Sequence, residues 1–201
     1  SRLPGKIMMK ADQTDLMLDY SINQLSNCKN CNNIIIATTN EPQDDQIFEH
    51  CKKHNVEVFR GSENDVLSRF YNAALKNKAT KIIRICGDCP FIDPNLIDQL
   101  AKVYFSVGYD FCHLVGEFPS GLDTTVFTAG CLEKTWKEAK KRSEREHITP
   151  YMTNNPNLFK IGAYEPLYGL YHHRWVVDHP EDYEFAKAVY RGLEQLGDAF
   201  R

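Results

Sequence analysis

The sequence predicts an α/β fold with a mostly parallel sheet and helices on both faces. Short apolar runs of strand length alternate with amphipathic runs of helix length, and the connections between them are only a few residues long. The 201 residues are enough for one sizeable core. The chain is therefore expected to form a single domain, residues 1–201.

The first half of the chain shows the clearest alternation. Leu18, Ile22 and Leu25 recur near the 3.6-residue period of a helix, and Thr14 is a plausible N-cap. The run Asn33–Thr39 has the composition of a strand buried on both faces. Helices are predicted over residues 15–27, 43–55, 64–76 and 95–105, and strands over 33–39, 56–59 and 81–86.

The second half is less regular. Strands are predicted over residues 124–127, 158–164 and 174–177, and helices over 132–141, 144–154 and 181–196. Residues 108–121 are the best candidate for a long functional loop. A sheet of this kind usually opens with a strand, whereas Ser1–Lys6 has the composition of a loop. We therefore expect a further N-terminal strand to precede this sequence.

Composition and charge are those of an ordinary globular protein. The net charge is −3, with 42% hydrophobic and 25% charged residues. This balance argues against nucleic acid or a membrane as the main partner. No apolar run approaches the roughly 20 residues of a membrane-spanning helix, and no signal-peptide pattern is visible.

Seven cysteines are scattered through predicted core elements. An odd, scattered set favours a reducing cytoplasm over a disulfide framework. Two C-x-x-C pairs, Cys28/Cys31 and Cys86/Cys89, could together make a four-thiolate zinc site. The preferred interpretation is small buried hydrophobic side chains plus an exposed loop pair.

Candidate chemistry is expected where strands end, because ligands of such sheets bind beyond the carboxyl ends of the strands. The segments there are 39–40, 60–62 and 87–88. Asp88 is a candidate Mg²⁺ ligand, although an aspartate that caps the next turn would look the same. Asp178 follows another predicted strand and could be the second carboxylate.

Two charged segments complete the set. Arg2, Gly5 and Lys6 suit the approach of a polyphosphate, although a solvated basic segment would look the same. Arg145 and His147 lie among carboxylates that could order them toward an anionic or hydroxyl-rich acceptor, whereas dense alternating charge on a helix is more often a solvated face.

Seven segments, in order and nearly end to end, resemble the SpsF-type cytidylyltransferases of surface-polysaccharide synthesis. These proteins are relatives of the acylneuraminate and 3-deoxy-manno-octulosonate cytidylyltransferases. The segments are residues 1–6, 36–39, 59–62 with 65–69, 87–94, 120–123, 144–151 and 177–182.

The resemblance implies a Rossmann-like, three-layer α/β/α nucleotidyltransferase domain (GT-A-like) that transfers CMP from CTP to an acidic sugar or related acid and releases pyrophosphate. It implies Mg²⁺ as cofactor, a homodimer, and acceptor-binding and dimerisation elements within residues 109–175. The implied roles are triphosphate binding and catalysis by Arg2 and Lys6, with Asp88 also catalytic; nucleotide binding by Thr39, Arg60, Ser62 and Gly87; Mg²⁺ binding by Asp88 and Asp178; and acceptor binding by Asp123, Arg145 and His147.

The sequence departs from the family in two places. The opening strand and the Gln-Ala-Arg approach to the phosphate loop are absent, and Thr125 stands where an acidic residue usually follows Gly121-Leu122-Asp123. Two alternatives stay open. One is a GT-A-like glycosyltransferase, although Pro90 interrupts its usual Asp-x-Asp pair at Asp88. The other is a degenerate nucleotide-binding or scaffold protein.

Overall fold

The computed structural model describes residues 3–195. In chain order the strands are β1 (Ile35–Thr39), β2 (Glu57–Gly61), β3 (Lys81–Ile85), β4 (Phe111–Leu114), β5 (Thr124–Thr128) and β6 (Ile161–Tyr164). The helices are α1 (Met17–Ser26), α2 (Asp45–Lys53), α3 (Val66–Lys76), α4 (Pro94–Val107), α5 (Ala129–Glu138), α6 (Arg142–His147), α7 (Thr149–Asn154) and α8 (Pro180–Gln195). Short 3₁₀ turns cover Lys6–Met8 and Pro42–Asp44.

The strands form two sheets. β1 and β2 pair in parallel, and the second sheet has the order β3-β5-β4-β6. β5 is antiparallel to both β3 and β4, while β4 and β6 are parallel, so three of these four strands share one direction. The predicted α/β class with a mostly parallel sheet is confirmed.

Helices cover both faces of the four-stranded sheet. On one face, α3, α5 and α7 pack a core that includes Leu67, Leu132 and Met152 against Phe111 and Phe127 of the strands. On the other face, α4 packs Leu100 and Tyr104 against Cys112 and Val126. Since α3 also contacts β1 and β2, it joins the two sheets. None of the helices within residues 3–195 is long and apolar enough to cross a membrane.

One strand prediction and one loop prediction in the second half are wrong. Residues 174–177 form no strand, because the segment makes only a single bridge, between Arg174 and Ser120. The expected loop 108–121 contains strand β4, whose four residues are too few to show a periodic pattern in the sequence. β4 lies between two other strands, which satisfy its backbone groups.

Two helix predictions also need correction. The predicted helix 144–154 is two helices, because Ile148 between them has a positive φ of 67° and Pro150 opens the second. Thr14 does not cap α1. The helix instead begins after Leu16, whose N–H donates to the Asp19 carboxylate at 2.8 Å, while the Thr14 N–H donates to Asp12.

Candidate active site

Lys6 lies between two carboxylates that are far apart in the chain. Its Nζ is 3.3 Å from Asp88 Oδ2 and 3.1 Å from Asp178 Oδ1, and it donates to the Val177 carbonyl at 2.6 Å. The Lys6 side chain is only 14% exposed, whereas Asp88 and Asp178 are 34% and 27% exposed. Two carboxylates and one ammonium group thus meet at one partly exposed site.

A tight turn places Lys6 there. Gly5 has a φ of 70°, in the left-handed region that glycine adopts without a steric penalty. Its carbonyl accepts the Met8 N–H at 2.9 Å, which closes the 3₁₀ turn that starts at Lys6. Gly5 therefore shapes the turn that positions Lys6, and its part in the approach of a polyphosphate stays a prediction.

Asp88 lies just beyond the carboxyl end of β3. Its carbonyl accepts the Val177 N–H at 2.9 Å, so the segment before α8 is tied directly to the segment after β3. Tyr190 of α8 donates its hydroxyl to the carbonyl of Pro90 and strengthens the same connection. Gly87 packs beside Ile7, with room for a Cβ at ordinary contact distance.

Ion pairs and hydrogen bonds with Arg174 and Asp182 hold Asp178 at the start of α8. Arg174 donates to Asp178 Oδ2 at 2.8 Å and also pairs with Asp182. Asp182 in turn accepts the N–H groups of Asp178 and His179, both at 2.9 Å. Burial would raise the pKa of Asp182, but the Arg174 and backbone hydrogen bonds outweigh it and lower the pKa to about 2. Asp182 therefore caps the start of α8, where an acid is favoured by the positive end of the helix dipole.

Sequence reasoning did not single out Arg174 as part of this site. The signal was present in the spacing of Arg174, Asp178 and Asp182, which places an acid four and eight residues after the arginine. The expectation of a strand over 174–177 concealed it.

Three of the predicted nucleotide-binding residues, Thr39, Arg60 and Ser62, lie at the carboxyl ends of β1 and β2. The Thr39 hydroxyl and N–H both donate to Asp44, and the Thr39 carbonyl accepts from Arg60 Nε at 2.8 Å. Arg60 also donates to Asp45 and to the Glu41 carbonyl. The Arg60 guanidinium therefore fastens the loop after β1. The Ser62 hydroxyl accepts the Asp65 N–H at 3.1 Å.

Asp123 reaches the edge of the sheet beside the Asp88 segment. The next residue, Thr124, pairs with Ile85 at the end of β3. The exposed Asp123 carboxylate accepts the Gly121 N–H at 3.1 Å. Gly121 has a φ of 109°, and a Cβ there would collide with the Trp175 carbonyl, so this turn requires glycine.

Arg145 and His147 lie on α6 and have different surroundings. Arg145 makes a bidentate ion pair with Asp65, the N-cap of α3, and donates to the Trp136 carbonyl at 2.8 Å. His147 is exposed at the end of the helix. Arg2 lies outside the described residues.

The two C-x-x-C pairs do not form a common metal site. Within residues 3–195 no group of three or more His, Cys, Asp or Glu side chains could hold a metal ion. Cys86 and Cys89 instead pair with each other: the hydrogen bond from Cys89 lowers the pKa of Cys86 to about 7, and the pKa of Cys89 is raised. All seven cysteines are free, and five of them are buried, as expected of small buried hydrophobic side chains. The expected exposed loop pair is wrong, because Cys28 and Cys89 are buried and Cys31 and Cys86 are half-buried.

The whole chain is similar to known proteins. A family model described as cytidylyltransferase matches residues 1–200. An uncharacterized protein of Methanocaldococcus jannaschii is 41% identical over 165 residues, which are 82% of this chain and 67% of that protein. The spore coat polysaccharide biosynthesis protein SpsF of Bacillus subtilis is 33% identical over 98% of this chain and 85% of its own length.

Solved structures agree with these matches. A cytidylyltransferase from Leptospira borgpetersenii superposes with a TM-score of 0.90 at 34% identity, over 96% of this chain and 82% of that one. A CMP:2-keto-3-deoxy-manno-octonic acid synthetase complexed with CTP gives a TM-score of 0.75 over 96% and 94% of the two chains. At 14% identity the latter likeness concerns the fold, and the expected Rossmann-like nucleotidyltransferase fold is confirmed.

Proposed function

Because the chain belongs to the cytidylyltransferase family, we propose that it transfers CMP from CTP to a small acidic sugar or related acid and releases pyrophosphate. The chain is a nucleotidyltransferase; CTP, the acceptor class and the residue roles below are the proposal. The observation that carries it is the convergence of Lys6, Asp88 and Asp178 at one edge of the fold.

The site suits a divalent cation. The two carboxylates already share one cation, the Lys6 ammonium. Asp88 is 34% exposed and Asp178 is 27% exposed, so both carboxylates can be reached from solvent. Mg²⁺ binds through one or two carboxylates together with waters and substrate phosphates. Asp88 and Asp178 would hold it, and the bound ion would neutralise charge that develops on the phosphates.

In the proposed reaction an acceptor oxygen attacks the α-phosphorus of CTP in line with the leaving group. A bond forms between that oxygen and phosphorus, and the bond between phosphorus and the pyrophosphate oxygen breaks, so pyrophosphate leaves. When the attacking oxygen belongs to a hydroxyl, its proton passes to solvent. The protein supplies position and charge. Arg2 and Lys6 would hold the triphosphate, and release of the Lys6 ammonium from the carboxylates would let it reach the phosphates.

The roles of the remaining residues are also part of the proposal. Thr39, Arg60, Ser62 and Gly87 would lie at the nucleotide, with Arg60 acting through the loop after β1 that it fastens. Asp123 would face the acceptor. Arg145 and His147 would support the acceptor side from α6.

The cellular setting is also a proposal. SpsF is a spore coat polysaccharide biosynthesis protein, which supports a role in surface polysaccharide or glycoconjugate synthesis in the cytoplasm. We further propose a homodimer, with elements of residues 109–175 at the interface. A Mycobacterium tuberculosis neighbour of similar fold was solved with manganese, which supports a divalent metal of this class.

The test is pyrophosphate release with each of the four NTPs against a panel of acidic sugars in the presence of Mg²⁺. Release with CTP and one acid supports the proposal. Transfer from a nucleotide-sugar with release of a nucleoside diphosphate would favour a glycosyltransferase, and no turnover with any pair would favour a scaffold. Asp88→Ala should abolish turnover, while Glu133→Gln, an exposed acid on α5, should leave it unchanged.

A further inference from the structure

One face of the four-stranded sheet changes from apolar to polar close to the active edge. Ile82, Phe127, Phe111 and Ile161 form a continuous cross-strand row, one residue per strand, and all four pack into the core beneath α3 and α5. Because side chains two residues apart on a strand share a face, the next row toward the carboxyl edge lies on the same side.

That next row consists of Arg84, Thr125, His113 and Ala163, which we call the polar row. Arg84 pairs with Thr125, Thr125 with His113, and His113 with Ala163. The stacking of the His113 ring on Phe111, with centroids 5.1 Å apart, confirms that the two rows share a face. Ala163 is exposed and the other three are half-buried, so the helices that cover the apolar row cover the polar row only in part.

Two atoms in this row are unsatisfied. Arg84 Nε and Thr125 Oγ1 are buried and have no hydrogen-bond partner within the part of the chain that the structure describes. An unpaired buried donor on a charged group costs free energy, and native proteins rarely retain one without a reason. The two residues face each other across β3 and β5, which points to a shared ligand.

The polar row is continuous with the proposed catalytic residues. Thr124, the residue after Asp123, pairs with Ile85, the last residue of β3. Cys86 and Asp88 lie just beyond Ile85, so the polar row ends beside the segments that carry Asp88 and Asp123. A molecule on the polar row would therefore lie beside the site where CMP transfer is proposed.

We propose that the polar row is the acceptor subsite, where Arg84 binds an anionic group of the acceptor and Thr125 binds a neighbouring polar group. This inference rests on the proposed function and specifies its substrate. The guanidinium matches the planar, two-oxygen geometry of a carboxylate or phosphate. The exposed Asp123 carboxylate would accept a hydrogen bond from an acceptor hydroxyl, so the acceptor is both anionic and hydroxylated.

The same row explains the departure at Thr125. An acid at this position would lie opposite Arg84 and could neutralise it within the protein. With threonine there, the positive charge of Arg84 stays available to a ligand, and the acceptor must bring the negative charge itself.

Direct binding to the full chain tests the inference by titration calorimetry, without turnover. The probes are 2-keto-3-deoxy-manno-octonic acid, its methyl ester, glucose 1-phosphate and CTP with Mg²⁺. We expect at least one of the two anionic probes to bind the wild type, and which one binds distinguishes a carboxylate from a phosphate. Arg84→Gln should weaken that binding by about tenfold or more. Arg84→Lys should keep part of it.

The remaining measurements separate the effect of the Arg84 charge from other effects of the substitution. The methyl ester should bind the wild type and Arg84→Gln equally weakly, and Thr125→Val should weaken the anionic probe without removing it. CTP affinity should not change in either variant. Arg142→Gln, which removes an arginine whose side chain is 90% exposed on α6, is the matched control and should behave as the wild type.

Three results would overturn the inference: equal binding of the anionic probe to Arg84→Gln, binding of CTP but neither anionic probe by the wild type, or loss of CTP affinity in Arg84→Gln. In the first two cases the proposed function survives. Absence of CTP binding by the wild type would instead contradict the proposed function itself.

Discussion

The Lys6 ammonium lies 3.1 Å from the Asp178 carboxylate, and the same ammonium lies 3.3 Å from Asp88. A lysine that is proposed to contact the triphosphate thus rests on the two carboxylates that are proposed to bind the metal. The Lys6 ammonium and a bound metal ion would compete, because both are cations that need the same carboxylate oxygens. This competition leads to the first prediction.

Lys6→Gln should bind Mn²⁺ more tightly than the wild type when no nucleotide is present, by about tenfold. The ammonium no longer competes for Asp88 and Asp178. The same variant should lose most of its turnover, because it also loses a triphosphate contact. Electron paramagnetic resonance of free Mn²⁺ measures the first effect and pyrophosphate release the second. Weaker Mn²⁺ binding in Lys6→Gln would show that the lysine supports the metal site.

Arg174→Gln should lower metal affinity by about 10–100-fold, the range typical of residues that orient a metal ligand. Arg174 touches Asp178 and Asp182 and acts by fixing the direction of the Asp178 carboxylate. Turnover should recover substantially at high Mg²⁺, while the affinity for CTP in the absence of metal stays near the wild-type value. A loss of turnover that Mg²⁺ does not restore would assign Arg174 another role. Arg142→Gln is again the control for removal of a positive charge.

Gly121→Ala should destabilise the fold by about 3 kcal/mol or more, because it adds a backbone collision with Trp175 to an unfavourable positive φ. Gly169→Ala is the matched control. Gly169 also has a positive φ, of 72°, but a Cβ there would have nothing within 4 Å. Its cost should be limited to about 1 kcal/mol of backbone strain. Urea unfolding of both variants measures the difference, and equal costs would refute the collision.

Asp182→Asn should reduce the free energy of unfolding at neutral pH. It should also make that free energy fall less steeply as the pH is lowered. The pKa of Asp182 is lowered to about 2 in the folded protein, so its contribution is present above the pKa of the unfolded chain, near 3.8. That contribution is lost as the pH falls through about 2. Urea unfolding between pH 6 and about pH 3 compares the two proteins. Parallel curves would mean that Asp182 does not carry this stability.

The meeting of Asp88 and Asp178 was expected because each was predicted to follow a strand. That reason holds for Asp88, which lies just beyond β3, but not for Asp178, because residues 174–177 form no strand. Asp178 reaches the site because the Val177 N–H donates to the Asp88 carbonyl. The position of Lys6 between them could not be predicted, since it depends on a left-handed Gly5 and on where one 3₁₀ turn lies against the sheet.

The polar row was equally hidden. Arg84 and His113 meet through Thr125 only because of the register of two antiparallel pairings, and no local pattern specifies that register. Strand β4 itself is too short to recognise, so His113 lay in an expected loop. The charge of Arg145 could be read from the sequence, but its ion-pair partner could not, because Asp65 is distant in the chain.

The central claim is that Asp178 is a metal ligand for nucleotidyl transfer, and Asp178→Cys tests it directly. A thiolate binds Mg²⁺ poorly but binds the softer ions Mn²⁺ and Cd²⁺ better. We predict that pyrophosphate release by Asp178→Cys fails with Mg²⁺ and recovers with Mn²⁺ or Cd²⁺, whereas Asp178→Ala recovers with neither. Turnover of Asp178→Cys with Mg²⁺ at the wild-type rate, or equal recovery in Asp178→Ala, would contradict the claim.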